Sequence, residues 1–357
     1  MDIKKSTTLY EDWMGKQTNI NSKRLSLKHE RMKECAFNFF RGSFYHWAQL
    51  WAEQEVHYPL FPKALSVADI HYENFGTWRD AEARLVWGIN DFDEAYELPF
   101  MHDLVRLACS VHLGIESDMI RMKHGAANKA LLDGYQYALT SGTKPFVLEE
   151  HHTWLRKIAT RKLHNPKIFW ERLFTNNVVH PPEEIQQLLT KNFPSLSSPP
   201  VFLERIAGLG SLGRPRYIAI AEYNGGYICR EAKATVPSAC AWVYHTHPNT
   251  HFYHEMIQQK AVRNSSLFLT FQGGWQIKKL SPDHSRIELK DLPKSRKEEK
   301  ILFAMGFELA NIHASNEDIA HALLASLQQL PEKWFEQVVK MLTQQMKKDY
   351  NVFCKNF

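Results

Sequence analysis

The chain has 357 residues, of which 44% are hydrophobic and 23% charged, and this ordinary globular composition excludes a disordered protein. A chain of this length exceeds what one small core can organise, so we expect two or more lobes. The net charge of +5 is mild and partly confined to residues 294–300 and the C-terminus, which disfavours nucleic acid as a partner.

Cysteine usage and the N-terminus indicate the cellular compartment. Five cysteines with no CxxC spacing are typical of buried thiols in a reducing environment. Residues 1–13 lack the apolar stretch of a secretion signal, and no run approaches the ~18 apolar residues of a membrane span. We therefore expect a cytoplasmic protein with no membrane partner.

The first part of the chain predicts helix followed by short strands. Residues 29–54 have helical spacing and predict a helix broken near Arg41 and Gly42. Residues 64–75 predict a short strand that opens into a polar loop, and residues 83–95 predict a strand that ends in acids. Loops at strand ends are common places for functional sites.

The pattern then turns helical and is followed by a linker. From Leu98 to about Leu189 the apolar spacing predicts helices. Residues 191–200, rich in Pro and Ser, predict a linker. Beyond it, two apolar runs separated by residues 224–226, Asn-Gly-Gly, predict a β-hairpin. Further strands are predicted at 266–271 and 274–280, and helices at 252–262, 298–315 and 331–350.

These elements predict an α+β protein with two lobes. Residues 1–190 would form a helical catalytic lobe, and residues 201–295 a small β-rich lobe that binds nucleotide. Residues 191–200 would link the two lobes, and helices within residues 296–357 would return to the first lobe.

Acidic and amide side chains cluster where the chemistry is expected. Clustered acids repel one another, so a fold keeps them together mainly where a cation or a reacting group neutralises them. Asn74 follows Asp69 by five positions, and Asp91 follows Asn74 by seventeen, across one strand. We predict that Asp69 accepts the proton of an acceptor hydroxyl, with His71 orienting the loop. Oxygen ligands suit Mg²⁺, which we assign to Asn74, Asp91 and Asp93.

A glycine-rich segment supplies a candidate phosphate cradle. Gly208, Gly210 and Gly213 form a GxGxxG pattern that includes Ser211. A strand and a hairpin follow it instead of a helix, which is the arrangement of a kinase glycine-rich flap that covers ATP. A flexible connector is the alternative interpretation.

Two cations on the second hairpin strand are candidates for contacting bound phosphate. Lys233 lies nearer the flap end of the hairpin, whereas Arg230 follows the apolar lead-in of Tyr227 and Ile228. The sequence leaves the choice between them open.

Several short segments carry a resemblance to known families. Residues 69–74 are similar to the HGDxHxxN loop of aminoglycoside and choline phosphotransferases, and residues 88–93 and 102–104 resemble their IDF and DLA elements. This chain has Ala68 where those enzymes have Gly. A set of segments between residues 28 and 315 also resembles an uncharacterised bacterial family, domain of unknown function 2252: FFRGS, DIHYENFG, INDFDEA, HDLVRLACS, GLGSLGRPRY, REAKA and MGFELANIHA.

The resemblance implies a protein-kinase-like fold in a circularly permuted order. In kinase-like enzymes the flap precedes the catalytic loop, but here it lies about 140 residues after Asp69. Residues 305–314 resemble the helix that directly precedes that loop, which would put the permutation point between them. The glutamate that pairs with the flap-strand lysine in such enzymes would be Glu255, with Gln259 as the alternative.

Together these observations predict an ATP- and Mg²⁺-dependent phosphotransferase that acts on a hydroxyl of a small molecule or a protein. A nucleotide-binding, pseudokinase-like regulator and an Mg²⁺-dependent hydrolase that uses the same carboxylates remain alternatives. The sequence does not identify the acceptor, because one fold hosts many substrates.

Overall fold

A computed structural model describes residues 1–162, 165–247, 252–264, 268–282 and 298–357 of the chain. Helices and small antiparallel sheets alternate along it, which confirms the α+β class. Within the described ranges, no helix has the length and apolarity that crossing a membrane requires.

Helices form the N-terminal part of the chain. Asp2 and Asn21 cap the first two through hydrogen bonds from the backbone N–H groups of Lys4 and Arg24. The predicted break near Gly42 is present, since Ser43 leaves the helical backbone conformation. The helices are α1 (Ile3–Gly15), α2 (Ser22–Lys33), α3 (Ala36–Gly42) and α4 (Phe44–Glu55).

Two small sheets bring the predicted site loops together. The strands are β1 (Lys63–Ser66), β2 (Phe75–Arg79), β3 (Leu85–Ile89), β4 (Tyr96–Pro99) and β5 (Phe146–Val147). Strand β1 pairs with β4, and β3 pairs with both β2 and β5. Ser66 therefore lies opposite Tyr96, and Phe75 lies opposite Ile89. This register places residues 67–74, the Asp69 loop, beside residues 90–95, the Asp91 loop.

The middle of the chain is helical, as the sequence predicts. Its helices are α5 (Met101–Glu116), α6 (His124–Ser141), α7 (Thr153–Lys162), α8 (Pro166–Phe174) and α9 (Glu183–Lys191). Helix α5 begins directly after β4 and is buried along most of its length, so it forms the floor beneath the two site loops.

A five-stranded antiparallel sheet follows, in the order β6-β7-β8-β10-β9. Its predicted hairpin is confirmed: Tyr223 pairs with Gly226, and Asn224 and Gly225 have the positive φ angles of 48° and 81° that a type I′ turn requires. The elements are β6 (Val201–Glu204), β7 (Arg216–Tyr223), β8 (Gly226–Ala234), α10 (Ala239–Val243), α11 (Phe252–Lys260), β9 (Leu269–Gln272) and β10 (Trp275–Leu280). The predicted strand at 266–271 and the basic segment at 294–300 lie partly outside the described residues.

The two faces of this sheet have different neighbours. Ile185 and Leu189 of α9 pack on Ala219 and Ala232 on one face. Because side chains alternate along a strand, Arg216, Glu231 and Lys233 project from the other face. That face points towards the site loops.

The C-terminal helices return to the helical part. They are α12 (Glu298–His313), α13 (Glu317–Gln328) and α14 (Trp334–Asn356). Helices α6 and α12 approach closely at Gly134 and Gly306, where a Cβ atom would lie 1.9 Å and 2.0 Å from a backbone oxygen of the other helix. This contact fixes α12, and with it His313, against α5 and the Asp69 loop.

Candidate functional site

The Asp69 loop, the Asp91 loop and the glycine flap (residues 208–213) enclose one small cavity of about 40 Å³. We call it the acidic cavity, because four carboxylates line it. Most of the predicted site residues meet there: Asp69, His71, Asn74, Asp91, Asp93, Gly208, Gly210 and Ser211.

Asp103 holds the Asp69 loop in place from below. Its carboxylate accepts hydrogen bonds from the backbone N–H groups of Val67 at 2.6 Å and Ala68 at 3.0 Å. Ala68 has a φ of 65°, in the left-handed region that Gly adopts most easily. The two hydrogen bonds to Asp103 therefore hold the loop in a conformation that is unfavourable for alanine.

Two histidines complete the shell of Asp103. His102 Nδ1 lies 3.0 Å and His313 Nε2 3.3 Å from the Asp103 oxygens. Trp47 donates its indole N–H to His102 Nε2, so the other ring nitrogen of His102 carries the proton that Asp103 accepts. Burial alone would raise the pKa of Asp103, but these hydrogen bonds hold that pKa well below its ordinary value. Asp103 is thus a fully buried anion that braces the loop.

The predicted base Asp69 is paired with a buried arginine. Arg106 of α5 donates to Asp69 Oδ1 and to the backbone carbonyl of Phe40, and its guanidinium lies over the Phe40 ring at 4.0 Å. Asp69 Oδ2 faces the flap instead, 3.7 Å from where a Cβ of Gly210 would stand. Burial raises the pKa of Asp69 to about 7, although Arg106 opposes the shift.

His71 and Asn74 shape the other side of the Asp69 loop. The Asn74 side-chain oxygen accepts a hydrogen bond of 2.8 Å from the His71 backbone N–H. His71 Nδ1 accepts one of 3.2 Å from the Glu73 backbone N–H. Both side chains are buried, so they orient the loop and also line the acidic cavity.

Lys233 is the hairpin cation that reaches the Asp91 loop. Its ammonium group donates to both carboxylate oxygens of Asp93 and is nearly buried. Burial would raise the pKa of Asp93, but Lys233 and Arg214 hold it well below its ordinary value. The side chain of Lys233 therefore joins the sheet to the Asp91 loop.

Arg230 lies away from the site. It is on the opposite face of β8, where it donates to the Asn192 carbonyl at 2.8 Å and lies over the rings of Phe193 and Phe268. Glu255 is exposed on α11 and does not meet the lysine, since Lys233 pairs with Asp93 instead. The structure thus places Lys233, and neither Arg230 nor Glu255, beside the Asp91 loop.

The glycine flap is docked onto the helical part. Leu209 and Leu212 are buried in the main core, and the Gly213 carbonyl accepts a hydrogen bond of 3.0 Å from the Asn21 N–H. Gly208 and Gly213 have φ angles of 75° and 100°, which favour glycine at both positions. In this conformation the flap covers Asp69.

Arg214 and Glu94, which the sequence alone does not single out, connect the flap with the Asp91 loop. Arg214, directly after the flap, lies 3.3 Å from Glu94 and 4.0 Å from Asp93. Glu94 also accepts from the Ala239 N–H at the start of α10. A cluster of acids requires nearby cations, but this requirement does not select Arg214 and Arg106 among the 44 Lys and Arg residues of the chain.

The oxygen donors fit a magnesium ion held jointly with a phosphate ligand. Among the residues that the structure describes, no three His, Cys, Asp or Glu side chains are arranged to hold a metal ion. Lys233 donates to both oxygens of Asp93, and the Asn74 oxygen accepts from the His71 N–H, whereas the Asp91 side chain has neither contact. Mg²⁺ commonly takes one or two protein carboxylates and completes its shell with waters and substrate phosphates. Asp91 and Asn74 meet that requirement, and Asp93, which accepts from Lys233, stays a predicted ligand.

A second, larger space of about 260 Å³ adjoins the acidic cavity and shares Asp91 and Gly208 with it. It lies between the Asp91 loop and the face of the sheet that carries Arg216, Glu231 and Lys233. We call it the basic compartment, because six cationic side chains line it: Arg205, Arg216, Lys233, Arg263, Lys278 and Lys279. The candidate site is therefore a cleft with an acidic end and a basic end.

Comparison with known proteins gives one family match. The model of a family described as an uncharacterized protein conserved in bacteria, DUF2252, matches residues 21–168. This range, less than half of the chain, contains Asp69, Asn74, Asp91 and Arg106. The glycine flap and Lys233 lie outside it. No curated protein and no solved structure matches the chain significantly.

Proposed function

We propose that this protein is an ATP- and Mg²⁺-dependent phosphotransferase that transfers a phosphoryl group to a hydroxyl, with a circularly permuted kinase-like fold. The observation that carries the proposal is the convergence of Asp69, Asn74 and Asp91 with the glycine flap around one cavity. Phosphoryl transfer is catalysed largely by positioning and electrostatic stabilisation, and it needs these kinds of groups together.

The sheet adds support that is independent of the loop motifs. In protein kinases the phosphate-binding lysine lies on the third strand, after a flap that covers the phosphates. Here the flap joins the first and second strands of the five-stranded sheet, and Lys233 lies on the third, β8. The spacing of five positions from Asp69 to Asn74 also equals that of the kinase catalytic loop.

The position of α12 supports the proposed permutation. His313, at the end of that helix, contacts Asp103, which holds the backbone of the Asp69 loop. A helix from the C-terminal part of the chain thus adjoins the loop that it would directly precede in an unpermuted order. Moving the termini to such a junction leaves the packing unchanged.

Each residue has a defined task in this proposal. Asp69 would accept the proton of the acceptor hydroxyl at Oδ2, while Arg106 holds Oδ1 in place. Asp91 and Asn74 would hold Mg²⁺, which would neutralise charge on the phosphates. Lys233 would orient the phosphates from the sheet side. The glycine flap would exclude water from the reacting groups.

The experiment is a thermal-shift titration with ATP, with and without Mg²⁺, followed by a phosphate-transfer assay. A ligand at one hundred times its Kd stabilises the native state by about 2.7 kcal/mol. We expect an Mg²⁺-dependent rise in Tm for the wild type and for Asp69→Ala, and none for Asp91→Ala. Transfer should be lost in Asp69→Ala, so unchanged transfer in that variant would remove the proposed base.

Asp133→Ala is the matched control, because it removes an equally charged side chain that is 46% exposed on α6. It should bind ATP and transfer phosphate as the wild type does. An unchanged Tm of the wild type at millimolar ATP would contradict the nucleotide site itself.

A nucleotide-binding regulator is the second candidate, favoured by the docked flap. Gly210 stands over Asp69, and the space beneath it is only about 40 Å³. A protein that keeps this conformation would bind ATP in the basic compartment without turnover. Binding with neither transfer nor hydrolysis would support this candidate, whereas hydrolysis without an acceptor would support a hydrolase.

A further inference from the structure

The basic compartment carries more positive charge than one nucleotide-binding lysine supplies. Among the described residues that line it, Asp91 is the one carboxylate. Lys233 is neutralised by Asp93, which leaves five other cations to be accounted for: Arg205, Arg216, Arg263, Lys278 and Lys279.

Three of these cations surround a single buried carboxylate. Glu231 is fully buried and pairs with Arg205, with Arg216 at 3.5 Å and with Lys278 at 3.3 Å. One negative charge cannot balance three positive ones, so a net positive charge faces the compartment. Like charges held this close favour the binding of an anion.

Arg263 supplies a further cation to the compartment and lies over the rings of Trp78 and Phe92. Its guanidinium lies 5.1 Å from the Trp78 ring centre and 4.6 Å from that of Phe92. Its Nε and Nη1 atoms have no hydrogen-bond partner among the described residues. The two ring faces that would otherwise stack against a nucleobase are thus in contact with a charged group.

Helix α8 covers the apolar part of the sheet face. Leu173 packs against Ile218, Ile220 and Cys229, which continue the same face beyond the charged residues. A nucleobase slot is normally apolar, and most ligand pockets bury apolar surface. Because α8 fills that part, the open part of the sheet face is the charged one.

We propose that the basic compartment recognises a ligand that carries phosphate groups along its length, such as an inorganic polyphosphate chain or a nucleotide phosphorylated at both ends. This inference rests on the proposed function, in which the compartment holds the phosphate donor. The phosphate next to the flap meets Lys233 and Arg216, which donates to Ser211 of the flap, and the following phosphates meet Lys278 and Arg263. Adenosine itself contributes little to binding.

The test compares four probes by isothermal titration calorimetry in the presence of Mg²⁺: tripolyphosphate, adenosine 3′,5′-bisphosphate, ATP and AMP. We expect tripolyphosphate to bind at least as tightly as ATP and to compete with it, and AMP to bind at least tenfold more weakly. Affinity for tripolyphosphate should fall as salt is raised, because salt screens charges. The bisphosphate distinguishes a nucleotide phosphorylated at both ends from an inorganic chain.

Lys278→Gln is the first variant and Arg263→Gln the second, because Arg263 is not a partner of Glu231 and its loss leaves that cluster intact. Each should weaken tripolyphosphate binding by about tenfold, the value of one charged hydrogen bond. Lys129→Gln removes a 74% exposed lysine on α6 and should change nothing.

The outcomes separate this inference from the proposed function. Tight binding of ATP and AMP with no binding of tripolyphosphate or the bisphosphate would overturn the inference and leave the phosphotransferase proposal intact. Failure of all four probes to bind would refute both. Equal weakening of tripolyphosphate by Lys129→Gln would also overturn the inference, because attraction would then come from the surface as a whole.

Discussion

Replacing Asp69 by Asn tests whether the partly buried carboxylate at the centre of the site is destabilising when it is ionised. Burial raises the pKa of Asp69 from its ordinary value of 3.8 to about 7. The native protein therefore keeps a proton on Asp69 at pH values where the unfolded chain has released it. Stability must then fall as the pH rises from about 4 through 7, since the native state binds more protons.

The size of this effect follows from the two pKa values. Each pKa unit corresponds to 1.36 kcal/mol, so full ionisation of Asp69 costs about 4 kcal/mol at most. Between pH 5 and pH 8 the wild type should lose about 2.5 kcal/mol of its free energy of unfolding through this group. Asp69→Asn should lose none of that amount, because the amide does not titrate.

Urea unfolding of both proteins at several pH values measures the difference. We expect similar stability near pH 4, where Asp69 is protonated, and a more stable variant at pH 8. Glu308, whose pKa burial also raises to about 7, is present in both proteins and cancels in the comparison. Asp133→Asn, an exposed acid on α6, should follow the wild type. If the free energies of unfolding of the wild type and of Asp69→Asn changed in parallel with pH, the reasoning would be refuted.

The same pKa gives an expectation for activity. A general base must be ionised before it can accept a proton, and its best pKa lies near the working pH. The kcat/KM of the proposed phosphotransfer should therefore rise with pH and level off above about pH 7. A profile that stays flat between pH 5 and pH 8 would argue against Asp69 as the base.

Two further predictions concern the sheet and the helix contact. Lys233→Met removes the closer of the two cations beside the partly buried carboxylate of Asp93, so it should lower the free energy of unfolding by about 3 kcal/mol and abolish ATP binding. Arg230→Met, on the opposite sheet face, should bind ATP normally in calorimetry. Gly134→Ala puts a Cβ atom 1.9 Å from a backbone oxygen of α12 and should destabilise the protein by roughly 2 kcal/mol in urea unfolding. Gly125→Ala in the same helix meets its nearest neighbour at 3.7 Å and should instead be neutral or stabilising by about 0.5 kcal/mol. Equal ATP binding by Lys233→Met and Arg230→Met, or equal stability of Gly134→Ala and Gly125→Ala, would contradict these assignments.

Local chemistry explains what the sequence could predict. The hairpin at Asn224 and Gly225 depends on residues that tolerate positive φ, and the structure shows that turn. The clustering of Asp69, Asn74 and Asp91 could be anticipated because a short hairpin brings the ends of two loops together over a small sequence separation. Such features depend on neighbours in the chain, and so they can be read from the chain alone.

The sequence by itself determined the acidic loops, the glycine-rich segment, the hairpin at residues 224–226 and the main helical stretches. The tertiary structure added the short strands β2, β4, β5 and β6, and it alone decided which charges meet. Alternation along β8 puts Arg230 and Lys233 on opposite faces, but the side that meets the Asp91 loop depends on where α9 packs. Lys233 and Asp93, 140 positions apart, become partners through that choice. The pairing of Arg106 with Asp69 likewise depends on α5 lying beneath the loop. Ion pairs between distant segments leave no periodic pattern in a sequence, and they exist only once the core has fixed the elements that carry them.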